Sequence, residues 1–105
     1  MRVFMSDLSK SKEMMLERSN LRLRIGDVVK HFKRETLGEY DDQLKYLYQI
    51  VYCGFDTTTH EEVVVYKPLY KTDYDTFVRT VDEFVAEVDH DKYPHISQIY
   101  VFEKV

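Results

Sequence analysis

A chain of 105 residues has room for one domain with one core, since a domain of this size buries somewhat under about 70% of the surface that its unfolded chain exposes. With 44% hydrophobic and 14% aromatic residues it is too apolar for a disordered segment, and a net charge of -4 excludes the global positive field that draws proteins to nucleic-acid phosphates. A single cysteine, Cys53, rules out an internal disulfide, and the chain opens on no apolar stretch long enough for a leader or a membrane span, so a cytoplasmic protein with no membrane partner is the simplest expectation.

The first twenty residues, MRVFMSDLSKSKEMMLERSN, are rich in Met, Leu, Lys and Glu and lack a β-branched run, which predicts a helical arm over about Asp7 to Arg18. Phe4, Leu8, Met15 and Leu16 give it only a thin apolar stripe. Such a helix needs a partner surface, either the rest of the chain or a second copy in a homodimer. From Leu21 the period changes to two: Leu21, Leu23 and Ile25 alternate with Arg22 and Arg24, and Gly26-Asp27 offers a turn. The chain therefore divides into an arm, 1–20, and a β domain, 21–105.

Lys33 to Gln43 is polar and reads as a surface loop. The segment KYLYQIVYCGF follows, with Tyr46, Tyr48, Ile50 and Tyr52 predicted on one side of a strand and Leu47, Val51 and Cys53 on the other. After a hairpin connection, EEVVVYKPLY sends Val63, Val65 and Leu69 one way and Val64, Tyr66 and Tyr70 the other. Pro68 removes a ladder donor, which predicts a bulge or an edge there. A turn at Asp73 to Asp75 leads into a short strand ending at Arg79. Thr80-Val81-Asp82-Glu83 has the form of a capping box, and Val81, Phe84, Val85 and Val88 share one face of the short helix it would start. IYVFEKV supplies a last strand. Five short strands with a helical turn before the fifth are the elements of a small barrel, because closure hides the edges of a short sheet.

Several residues also carry a resemblance: His31-Phe32-Lys33, then Thr59-x-Glu61-x-x-Val64-Val65-Tyr66-x-x-Leu69-Tyr70, then Val78-Arg79 and the closing Phe102-Glu103-Lys104. Over about 26–105 the chain resembles the DUF1653 family, small bacterial domains of unknown function. The resemblance implies an SH3-like β-barrel and supplies no activity. Where the family usually has HSET, this chain has Asp56-Thr57-Thr58-Thr59, and where it usually has Trp-Val-Arg-Pro, this chain has Phe77-Val78-Arg79-Thr80. Thr in place of Pro is a mild exchange, since Thr is a good N-cap for the helix that Pro would otherwise begin.

Candidate chemistry is sparse. Cys53 with His60 lacks any sign of an activated nucleophile, and Asp89, His90, Asp91 and His95 lack the spacing of a metal site, with Pro94 breaking the helix on which ligands would align. Glu61 and Glu62 point to opposite faces of a strand, no Gly-rich phosphate loop exists, and no cofactor is expected. The constellation that remains is His31, Glu61, Tyr66, Tyr70 and Arg79. As a ligand site, Arg79 would grip an anionic or planar polar group while a tyrosine stacks on it. As scaffold, Arg79 would pair with Glu61 across neighbouring strands and the tyrosines would wall the core.

Three functions follow as expectations. The first is a non-catalytic binding module for a protein, peptide or small ligand; the second, nucleic-acid binding through Arg22, Arg24, Lys30, Lys33 and Arg34; the third, an enzyme acting on a small substrate at Arg79 and His31. The net charge disfavours the second, although charge is unevenly spread, with ten Lys/Arg against eight Asp/Glu over 1–52 and five against eleven over 53–105.

Overall fold

The computed structural model describes residues 23–105; the arm expected over 1–20, with its dimerisation, and Arg22 lie outside the described residues. The described residues are mainly β: five antiparallel strands in one sheet with one short α-helix. The strands are β1 (Val28–His31), β2 (Leu47–Asp56), β3 (Glu61–Pro68), β4 (Phe77–Thr80) and β5 (Phe102–Lys104), in the order β4-β3-β2-β1-β5. Helix α1 (Val81–Phe84) follows β4, and a 3-10 helix (Phe32–Thr36) follows β1.

The turns form where the sequence places them. Gly26 takes φ +93, a conformation open to glycine at little cost, and its amide reaches the carbonyl of Ile50 at 2.7 Å. At the β2–β3 hairpin the Asp56 carboxylate accepts from the amides of Thr58 and Thr59 at 2.9 and 3.2 Å, and the Asp56 carbonyl accepts from His60, whose φ is 61. These amides hold the Asp56 carboxyl below its usual range. The capping box before α1 is complete, with Thr80 Oγ1 accepting from the Glu83 amide at 3.1 Å and Glu83 returning to the Thr80 amide at 3.3 Å. The helix stops after one turn, yet Val81, Phe84 and Val88 are all buried, because an isolated bridge between Glu87 and Tyr100 carries the chain onward along the core.

Two sequence expectations need correction at the level of single residues. The bulge lies in β2, between Ile50 and Tyr52, and not at Pro68. The extra residue reverses the facing of everything after it: Cys53 turns inward and is buried, while Tyr52 turns out and pairs with Val65 on the other face. Pro68 is the last residue of β3, past the last β3–β4 pair, Tyr66 with Phe77, so no β4 residue requires its missing amide.

The barrel is corrected too. β4 and β5 end the sheet and do not hydrogen-bond to each other, so the sheet is not a closed barrel. It is nevertheless strongly curled. In a flat sheet β4 and β5 would stand four strand spacings apart, about 19 Å, yet the Arg79 guanidinium on β4 lies 5.2 Å from the centre of the Phe102 ring on β5. Phe84, just after β4, stacks on the same ring at 4.4 Å and 7°. Side chains span the seam that backbone bonds leave open. With β5 only three residues long, there is little ladder with which to close it.

The core inside the curl is built from Leu23, Val29, Tyr48, Ile50, Cys53, Val64, Tyr66, Val81, Phe84 and Phe102. Burying each of the larger apolar side chains contributes about 1.5–3 kcal/mol. Among the described residues no helix is long and apolar enough to cross a membrane.

Candidate functional site

His31, Tyr66 and Arg79 come from three different strands and meet around Phe102. Register explains it. His31 pairs with Phe102 across β1 and β5, Val64 pairs with Arg79 and Tyr66 with Phe77 across β3 and β4, and directly opposed residues share a face. Val64 and Tyr66 face the core, so Arg79 and Phe77 must face it as well.

The Arg79 Nε donates to the Tyr66 hydroxyl at 2.8 Å, and its guanidinium lies over Phe102. Glu61, the cross-strand partner expected for it, stands at the start of β3 opposite Asp56, at the far end of the strand from Tyr66. The arginine is thus held by a phenol and an aromatic face, and its charge also reaches the Glu83 carboxylate.

His31 is 8% exposed, and its ring sits 4.4 Å from Phe32, 6.1 Å from Tyr46 and 5.1 Å from Phe102. Its Nδ1 accepts the Lys33 amide at 3.1 Å, capping the 3-10 helix, so the neutral ring carries its proton on Nε2. Burial first, then the positive charges of Arg79 and Lys33, push its pKa down to about 4. At neutral pH this histidine is an uncharged cap. It is not poised as a general base near pH 7.

Tyr70 joins the group through Tyr48. Their hydroxyls are 2.6 Å apart, and Tyr70 also presents an edge to Tyr46 at 6.0 Å. Tyr48 meets Tyr66, Tyr70, Phe77 and Phe102 in edge-on contacts. Burial and the Tyr70 hydroxyl raise its phenol well above the usual tyrosine range, so it stays protonated. Edge-to-face ring pairs of this kind add about 0.5–1.5 kcal/mol each beyond the area they bury. Tyr48 and Tyr66, at 8% and 5% exposure, wall the core, whereas Tyr70 and Arg79 are half-buried and reach its rim.

Tyr70 has a second neighbourhood. With Pro68, Leu69 and Tyr74 it lines a cavity of about 450 Å³ in the segment joining β3 to β4, flanked by Lys67 and Lys71. A smaller cavity of about 220 Å³ lies at the other end of β3, between Phe55, His60, Glu61, Glu62, Thr80 and Asp82. Glu61 therefore belongs to a different place from the other four candidates.

The basic set is spread along β1. Arg24 precedes the Gly26 turn at one end, Lys33 and Arg34 lie in the 3-10 helix beyond the other, and Lys30 falls between them. Arg34 is already engaged, its Nη1 donating to the Lys45 carbonyl at 2.9 Å, next to Tyr46 with φ 66.

Sequence reasoning missed Glu35 and Gln98. Glu35 accepts from the Ser97 amide, the Ser97 hydroxyl and the Gln98 amide at 2.9, 2.8 and 2.8 Å, and these bonds hold its carboxyl below the usual range. Gln98, 6% exposed, donates from Nε2 to the carbonyls of Lys30, Tyr100 and Val101. Together they clamp the approach to β5 against β1. No local pattern announces residues that meet across more than sixty positions.

Against this geometry, a family model described as "Protein of unknown function (DUF1653)" matches residues 27–98. The chain belongs to the DUF1653 family. No curated protein and no solved structure gives a match. The match begins at Asp27, just after Gly26, and ends at Gln98, so it takes in Tyr48, Tyr66, Tyr70, Arg79 and the Glu35 clamp of this DUF1653 chain but stops short of Phe102.

Proposed function

We propose that this DUF1653 chain is a non-catalytic binding module of the SH3-like type, which takes a small ligand or a peptide group at the cavity beside Tyr70. The strand order, the tight curl and the helical turn before β5 support the SH3-like reading. One observation carries the choice of place: Tyr70 belongs at once to the rigid aromatic wall and to the 450 Å³ cavity. Binding sites pair apolar and aromatic linings with a few placed polar groups, on supports that do not move. His31, Tyr66 and Arg79 then serve as the support, since two of the three are buried and all three are committed to neighbours.

Amide shifts of the labelled protein, recorded against a library of small organic fragments, test this reading. Saturable shifts clustered on residues 67–75 are expected. Shifts clustered on Arg24, Lys30, Lys33 and Arg34 on adding single-stranded RNA, falling steeply with salt, would replace it with nucleic-acid binding. An enzyme at Arg79 and His31 would demand fragments converging on those two residues.

A further inference from the structure

We infer that the cavity at 67–75 takes an anion that carries a planar ring: a carboxylate or phosphate joined to an aromatic group. This rests on the reading of that cavity as the binding site and adds the chemistry of its ligand. Charge supplies the first half of the argument. Over 53–105, acidic residues outnumber basic ones by eleven to five, yet two of those five cations, Lys67 and Lys71, stand on this one cavity. Asp75 is the one carboxylate in the lining, with Asp73 beside it in the same loop, so the lining itself carries one net positive charge on the acidic half of the chain.

Shape and ring chemistry supply the second half. Tyr74 is 72% exposed, a large apolar ring left in water, while Tyr70 is anchored by its hydroxyl to Tyr48 and turns part of its surface to the cavity. The Thr72 hydroxyl donates to the Tyr74 carbonyl at 2.6 Å, which fixes the backbone on which Tyr74 stands. A ligand ring covering Tyr74 removes exposed apolar area, and Pro68 and Leu69 give an apolar floor. An anion alone would gain only from the exposed ammonium groups, and a neutral ring only from the tyrosine. The site as built favours both on one molecule.

Titration of the labelled full chain with phenyl phosphate, phenylacetate, inorganic phosphate and benzyl alcohol tests this. Phenyl phosphate and phenylacetate are expected to shift the 67–75 amides saturably, the stronger of the two identifying the anion. Inorganic phosphate and benzyl alcohol should each bind about tenfold more weakly, a difference of about 1.4 kcal/mol. Lys67→Gln with Lys71→Gln should weaken phenyl phosphate by about tenfold, and Tyr74→Ala by a similar factor, with melting temperature unchanged because these side chains lie at the surface. If benzyl alcohol binds as tightly as the anions, the anion requirement is wrong while the cavity remains a binding site. Inorganic phosphate binding as tightly as phenyl phosphate removes the ring. Should no probe move these amides, both the inference and the reading beneath it fall.

Discussion

Replacing Arg79 with alanine separates scaffold from site. The substitution removes the charged hydrogen bond to the Tyr66 hydroxyl, worth about 1.5–3 kcal/mol, and the cation–π contact with Phe102, worth about 0.5–2 kcal/mol. A partial offset comes from the half-buried guanidinium itself, whose desolvation cost the substitution removes. The expected net loss is about 2–4 kcal/mol, a large part of the ~5–15 kcal/mol that stabilises a typical domain. Urea denaturation should show a lower midpoint with an unchanged slope. Tyr66→Phe and the double variant complete a cycle in which the pair should couple by at least about 1 kcal/mol. A loss below about 0.5 kcal/mol with no coupling would refute the structural role and return Arg79 to the list of ligand-gripping residues.

Three more outcomes are expected. His31 has a folded pKa below its unfolded one, so the unfolded chain binds the extra proton and stability falls as pH drops from about 6.5 towards about 4. His31→Asn keeps an acceptor for the Lys33 amide and should flatten that part of a stability–pH profile; an unchanged profile assigns the slope elsewhere. Glu35→Gln retains only one acceptor oxygen for the Ser97 and Gln98 donors, so a loss of about 1–2 kcal/mol is expected, with faster hydrogen exchange at those two amides. Thr80→Ala removes the cap of α1 and should cost about 1 kcal/mol by thermal melting; a variant as stable as the parent would mean that packing of Val81 and Phe84 alone holds the turn.

What the sequence disclosed was local. The Gly26 turn, the Asp56 hairpin, the capping box at Thr80 and the shared face of Val64 and Tyr66 each follow from a few neighbouring residues and appear as expected, although the alternation does not state which face of β3 turns inward. Facing after the β2 bulge was not legible, because a single extra residue leaves no mark in a run where both sides are apolar. Arg79 was placed on the right strand, but its partner was not. The choice between Glu61 and Tyr66 is settled by register across a connection of eight residues, 69–76, whose geometry the sequence does not state. Phe102 was harder still: it sits in a short tail ending Glu-Lys-Val, yet it is the ring on which His31, Tyr66, Phe84 and Arg79 meet.

The side-chain seam between β4 and β5 has a consequence for how such a domain varies. In a sheet closed by hydrogen bonds the circumference takes only the values that strand number and stagger permit. Here the last gap is spanned by the contacts of the Phe102 ring with Phe84 and Arg79, so its width follows side-chain volume. Substitution at position 102 alone can therefore tighten or relax the curl while the hydrogen-bonded strand pairs keep their register.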